Sequence, residues 1–235
     1  MSSVIPTRRH FFELAALSGS GLLLSACATT GKSDAADSDK SDEESIPPTE
    51  DLMREHGLLL RAMVIYYDAA RRLRGNEEFP MSALTDTASI IRNFVEDYHE
   101  KLEEEHLFPR FRKAGNLVDL VQVLYSQHQA GRKVTGLVLQ TASQPLNGES
   151  REKLAGYLQQ FIHMYVPHAA REDTVLFPAF RQIVSDKEFA ELGEQFEKRE
   201  DQLFGQHGFE KQVQKIAAIE QTLGLYDLTR FTPAV

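Results

Sequence analysis

From Thr49 onward, apolar residues recur at i, i+3, i+4 and i+7 with few breakers between them, which is the period of an amphipathic helix. Leu52, His56, Leu59, Leu60, Met63 and Tyr67 form one stripe of a first helix. Arg71, Arg72, Arg74 and Gly75 then supply the cations and glycine that suit a helix C-terminus. A second helix is predicted from Ser82, taken as its N-cap, to about Lys113, with Gly115 near the stop. A third runs from Leu117 to about Ser143 and closes at Gln144-Pro145-Leu146-Asn147-Gly148. The fourth, from about Ser150 to Val184, carries Leu154, Tyr157, Leu158, Phe161, Tyr165, Leu176 and Phe180. Shorter helices are predicted from Ser185 to about Leu203 and from Phe209 to Thr222. Strand-like alternation is missing, so the class is all-α. Four helices of roughly 25 to 35 residues, rising about 1.5 Å per residue, favour one antiparallel four-helix bundle over separate small domains. The bundle is placed at residues 49–184, with one or two extra helices in a C-terminal extension at 185–235.

The chain repeats itself inside this frame. His99, Glu103 and Leu107-Phe108-Pro109-Arg110-Phe111-Arg112 align with His168, Glu172 and Leu176-Phe177-Pro178-Ala179-Phe180-Arg181. A further histidine precedes each unit, His56 by 43 residues and His128 by 40. Two helix pairs, each giving a His and then a His-x3-Glu, describe a pseudo-twofold bundle. Residues four apart on a helix project from one face, so each imidazole and carboxylate can reach the same ion. If Glu103 and Glu172 both bridge, His56 and His99 complete one metal while His128 and His168 complete the other. Imidazole with carboxylate suits Fe, Mn or Zn. Four His and two Glu leave each ion short of six ligands, with room for solvent or a small diatomic molecule. A lone His-x3-Glu is commonly a pair of surface residues. Two copies with Phe94, Leu102, Tyr165 and Val175 around them at helical spacing point inward, where unpaired His and Glu would cost several kcal/mol.

Composition narrows this reading. Among 235 residues, 35 Asp and Glu outnumber 26 Lys and Arg for a formal charge of -9, which removes the phosphate-neutralising surface of a nucleic-acid binder. A single cysteine, Cys27, excludes an internal disulfide, a Cys-rich zinc site and an iron-sulfur cluster, so a metal here is held by His and carboxylate.

The first residues read as an address. A charged head, a short apolar run from Leu14 to Leu24 and small residues before Cys27 form a secretory signal too short to span a bilayer as an ordinary helix. Thr7-Arg8-Arg9-His10-Phe11 resembles the twin-arginine export signal, read on Arg8 and Arg9. Leu24-Ser25-Ala26-Cys27 resembles a bacterial lipobox, which implies lipidation of Cys27. Residues 1–27 are therefore read as signal and 28–48, rich in Ser, Asp, Lys and Glu, as a disordered acidic linker. The expectation is an exported chain anchored by lipid on the periplasmic or extracytoplasmic face of a bacterial membrane, touching the membrane through Cys27 only.

His56, His99 with Glu103, His128, and His168 with Glu172, together with the two Leu-Phe-Pro tails, resemble the hemerythrin-like or HHE cation-binding domain over Thr49 to Arg181. The resemblance implies an up-down-up-down bundle around a non-haem di-iron centre with an oxo or hydroxo bridge, in which Glu103 and Glu172 bridge the two ions. It also implies O2, NO or peroxide as the small ligand. Oxygen-carrying members have a third-helix His-x3-His, whereas here His128 has Leu124 and Arg132 at the corresponding offsets. One imidazole is missing, which favours a sensor or HHE-type role over reversible carriage. Glu100, His106 and His163 are read as additional ligands or as supports behind the ligands, with a packing or surface role the simpler reading for each. Tyr66, Tyr67, Tyr125 and Tyr165 are expected in the core, and His207 in a loop.

Three function classes follow. The first is a di-iron protein that binds or senses a small ligand, working with a separate signalling or redox partner because no output domain accompanies the bundle. The second is a di-iron enzyme, a ferroxidase, peroxidase or NO-detoxifying protein, or an iron store. Ferritin-like sites use Glu-x-x-His on two helices, and Glu103-x-x-His106 has no counterpart at Glu172-x-x-Val175. The third is a metal-free bundle that binds a protein partner.

Overall fold

The computed structural model describes residues 46–235. The signal, Cys27 and most of the linker lie outside the described residues, which contain helices and no strand. Four rods form the core. The first is a single helix, α1 (Pro48–Arg74), which opens on Glu50 and Asp51 and ends on Arg71, Arg72 and Arg74, as the helix dipole favours. It starts one residue earlier than the sequence pattern suggests because Pro48 sits at the first position, where a missing N–H costs nothing. The second rod is composite: α2 (Met81–Ile90), a π-helical stretch π1 (Ile91–His99), α3 (Glu100–Leu102), π2 (Glu103–Leu107) and α4 (Phe108–Ala114). Pro80, not Ser82, is its N-cap, and Gly115 ends it in the left-handed region at φ 66°, where glycine carries no Cβ penalty.

The third rod is α5 (Val118–Ala142). The fourth joins α6 (Gly148–Arg171), π3 (Glu172–Leu176) and α7 (Phe177–Ile183). Asn147 and Ser150 start it with a reciprocal capping box. The first rod packs against the second and fourth, and the third against the same two. Between them lies a core that includes Leu52, Tyr66, Phe94, Phe111, Leu124, Phe161 and Phe180, each at most 1% exposed. Two further helices, α8 (Asp186–Phe204) and α9 (Gly208–Leu223), lie against α1, with α9 also on α2. Phe204 and Phe209 close on Phe94 at 5.2 and 6.2 Å between ring centres, and the Arg61 Nε donates to Glu220 at 2.9 Å.

The predicted first-helix stripe needs correction. Leu60 and Tyr67 are 48% and 66% exposed, while Leu59 and Tyr66 are buried. The buried face steps by threes and fours through Leu52, His56, Leu59, Met63, Tyr66 and on to Leu73, and a neighbour one residue on points about 100° away. The same rule places Tyr125, 37% exposed, outside the core and Tyr165 inside it.

Both π2 and π3 have a physical cause in the sequence. Each is followed by a Phe-Pro pair, Phe108-Pro109 and Phe177-Pro178. Proline cannot donate to the preceding turn, and its ring crowds the carbonyl four residues back. The chain relieves this by widening: the Phe108 N–H reaches the Glu103 carbonyl and the Phe177 N–H the Glu172 carbonyl, both five residues back.

Candidate metal centre

All four rods deliver side chains to one buried point between them. α1 brings His56, π1 brings His99 at its end, π2 brings Glu103 at its start, α5 brings His128, α6 brings His168, and π3 brings Glu172 at its start. None of the six is more than 3% exposed. The His56 and His99 Nε2 atoms stand 3.1 Å apart, and those of His128 and His168 stand 3.2 Å apart. Each glutamate reaches across the pairs. Glu103 Oε2 lies 3.8 Å from His99 Nε2 and 3.4 Å from His128 Nε2. Glu172 Oε2 lies 3.0 Å from His168 Nε2 and 3.4 Å from His56 Nε2.

The outer edge of every imidazole is pinned. His56 Nδ1 meets Asp173 at 2.7 Å, His99 Nδ1 meets Glu55 at 2.8 Å, His128 Nδ1 meets Glu104 at 3.2 Å, and His168 Nδ1 meets Gln127 at 2.9 Å. With a proton held at Nδ1, Nε2 is the atom each imidazole can turn to a cation, His56 on losing the second proton that Asp173 and Glu172 favour. Two Nε2 lone pairs 3.1 Å apart repel unless a cation or a proton lies between them. All four oxygens of Glu103 and Glu172 are buried without a hydrogen-bond partner, a desolvation cost of several kcal/mol that cation binding removes. Imidazole nitrogens about 2.1 Å from an ion and at right angles about it are about 3 Å apart, close to both Nε2 pairs. The donor set therefore fits two cations, one for His56, His99 and Glu103 and one for His128, His168 and Glu172.

Without cations the cluster divides its charge unevenly. Burial opposes a charge on His56, but Asp173 and Glu172 outweigh it and lift its pKa to about 9. Burial, aided by the charge on His56, pushes His99 well down. Burial lowers His128 to about 4, with Glu104 resisting. Burial and the nearby charge of Glu172 drive Glu103 well up, whereas His168 and His56 overcome burial to hold Glu172 below the carboxylate range.

The other predicted candidates fall outside the cluster or behind it. Glu100 is buried and is drawn to the Tyr165 hydroxyl, which donates to it at 2.5 Å, and to Arg132 at 2.7 Å. His106 packs its ring 5.4 Å from Phe196 of α8. His163 lies on the outer side of α6, in a surface groove with Tyr67 and Gln160. Leu124 is buried in the core and Arg132 is held by Glu100 and Glu104, so neither offset from His128 holds a ligand. His207 caps α9 at φ 61°. Sequence reasoning missed the four Nδ1 partners. Their signal was present: Glu55 and Gln127 precede the first histidine of each pair, and Glu104 and Asp173 follow the two glutamates.

A helical bundle with paired His and Glu clusters able to hold cations defines a class, the cation-binding four-rod proteins. The hemerythrin HHE cation-binding domain model matches residues 48–180, and again 119–232, and this chain belongs to that family. It is 44% identical to uncharacterized proteins of Mycobacterium tuberculosis and of Mycobacterium bovis, over 97% of its own length and 91% of theirs. No solved structure matches it.

Proposed function

We propose that this protein is an exported, non-haem di-iron protein of up-down-up-down topology that binds or senses O2 or a related small ligand, NO or peroxide. The observation that carries the reading is the convergence of four imidazole Nε2 atoms on Glu103 and Glu172, buried carboxyl groups whose oxygens have no hydrogen-bond partner. His56 and His99 would hold one iron and His128 and His168 the other, with Glu103 and Glu172 bridging. When bound, two irons supply open coordination positions and a redox couple for the small ligand. The residues around them exclude water, fix each imidazole's tautomer and keep the carboxylates bare. The missing third-rod imidazole favours sensing over carriage, and manganese or zinc is the alternative filling. For export, the support is Arg8-Arg9 and the Leu-Ser-Ala-Cys27 run; no described helix is long and apolar enough to cross a membrane.

Ferroxidase or peroxidase chemistry is the competing reading, and the contact of His106 with Phe196 weakens it, since that histidine does not turn to the centre. Metal content per chain, for protein from iron-supplied cells and for a His168→Ala, Glu172→Ala variant, tests the proposal. About two irons per chain, lost in the variant, supports it; metal absent from both, or unchanged by the substitutions, moves a metal-free partner-binding bundle to first place.

A further inference from the structure

The repeat pairs His56 with His128, His99 with His168 and Glu103 with Glu172, and the Nδ1 partners obey the same pairing. Asp173 corresponds to Glu104, and Glu55 to Gln127. At the last correspondence the symmetry of charge breaks. Behind His56 and His99 stand two carboxylates, at 2.7 and 2.8 Å. Behind His168 stands a neutral amide, Gln127, at 2.9 Å. Behind His128 stands Glu104, farther away at 3.2 Å, and its charge is shared with Arg132 at 2.7 Å and with Lys101.

A carboxylate behind a ligating imidazole raises its basicity and tightens its hold on a cation, whereas an amide fixes the tautomer without adding charge. Because the His168 Nε2 lone pair faces inward, its Nδ1 carries the proton, and the Gln127 oxygen accepts it. Gln127 thus orients His168 as well as Glu55 orients His99, but strengthens it less. The two halves share both glutamates, so the difference between them lies in these outer partners.

We propose that the two cation positions are inequivalent, the His56/His99 position filling first and the His128/His168 position second, with Gln127 as the positioning residue that sets the difference. This rests on the two-cation reading above. A site so arranged holds one ion firmly while the other exchanges, which suits a protein that reports on metal supply as well as on a small ligand.

The test is a cobalt(II) titration of the metal-stripped full chain at about pH 9.5, where protons compete little with the cation, followed by the paramagnetically shifted Nδ1–H resonances of the four histidines. One equivalent is expected to shift the His56 and His99 protons, and the second those of His128 and His168, with affinities separated by about 10- to 100-fold. Gln127→Glu should tighten the second step and bring the two sets of resonances up together. Glu55→Gln should weaken the first step by a similar factor, and it gives a second reading if the Gln127 variant fails to fold. Two cobalt ions entering both halves together in the wild type, or entry at His128/His168 first, would overturn the inequivalence and leave the metal centre standing. An unmoved second step in a folded Gln127→Glu variant would remove Gln127 from the role. No cobalt uptake by the wild type would overturn the two-cation reading itself and this inference with it.

Discussion

The ring of Phe177 lies against that of His56, 5.6 Å between centres and 16° from parallel. Phe108 stacks on His128 in the matching way, at 5.5 Å and 22°. The Leu-Phe-Pro tails of the repeat thus serve the centre: each phenylalanine holds flat the histidine of another rod, while the Nδ1 partner fixes its edge.

Replacing Phe177 with alanine removes a fully packed ring and leaves a void beside His56. The expected cost is about 3–5 kcal/mol in a urea melt, with loss of cation from the His56/His99 position. Phe177→Leu, which keeps most of the volume, should cost about 1 kcal/mol. Equal melts for the two variants would show that the ring contributes no packing of its own.

Cation binding should depend on pH through His56. Its pKa in the cation-free protein is raised to about 9 by Asp173 and Glu172 acting against burial, so at neutral pH a cation must displace its proton. Affinity therefore rises with pH until about 9 and flattens above, and uptake at pH 7 releases protons to the medium. Asp173→Asn removes the first of the supporting charges, so its rise should flatten at lower pH. Measuring proton release during zinc addition in a weakly buffered solution checks this; no release at pH 7 would contradict it.

Removing the cations should destabilise the fold, because it leaves the carboxyl oxygens of Glu103 and Glu172 buried without hydrogen-bond partners and forces a proton onto Glu103. A ligand present at about 1,000 times its Kd adds about 4 kcal/mol, or roughly 8 to 16 °C in Tm for a chain of this size. Calorimetry with and without chelator measures the shift. Glu103→Gln should leave the cation-free state about as stable as it was while abolishing uptake, since burial and the charge of Glu172 already keep Glu103 protonated there and the amide replaces a neutral group.

Gly131 makes room for Tyr165. A Cβ there would collide with the Tyr165 hydroxyl and stand 2.7 and 2.8 Å from two ring carbons, and Tyr165 is 1% exposed and hydrogen-bonded to Glu100. Gly131→Ala is expected to cost about 1–3 kcal/mol by overpacking. Adding Tyr165→Phe should relieve only part of it, because the ring carbons remain too close. A thermal melt of the single and double variants is sufficient to decide.

That these six side chains come together was legible because the motif came twice: one His-x3-Glu is ordinary on a helix surface, but two on apolar faces point inward to one place. Residues that only stand behind these six have no such spacing. Glu104 and Glu105 look alike in sequence, and only the packing of α5 against the second rod directs one to His128 and Arg132. Leu59 and Leu60 are equally apolar, and which is buried depends on where the other rods lie. The widened turns were hidden for a different reason. A helical stripe read from sequence takes 3.6 residues per turn throughout, and the proline that breaks this sits six residues beyond the glutamate whose carbonyl is affected.

Those widened turns act as a change of phase. Five residues of regular α-helix would set Phe108 about 140° around the rod from Glu103. A turn with one extra residue takes back about 100° of that, leaving the two side chains about 40° apart. One rod can therefore aim its carboxylate inward and its phenylalanine at the His128 ring of the next rod, and the same holds for Glu172, Phe177 and His56. Held to a regular helix, the same five residues would keep every apolar position in the sequence and still swing Phe108 away from the ring it supports. The exposed Glu105 can be seen as slack in the rod, a residue whose loss would let the turn tighten with both neighbours still facing their targets.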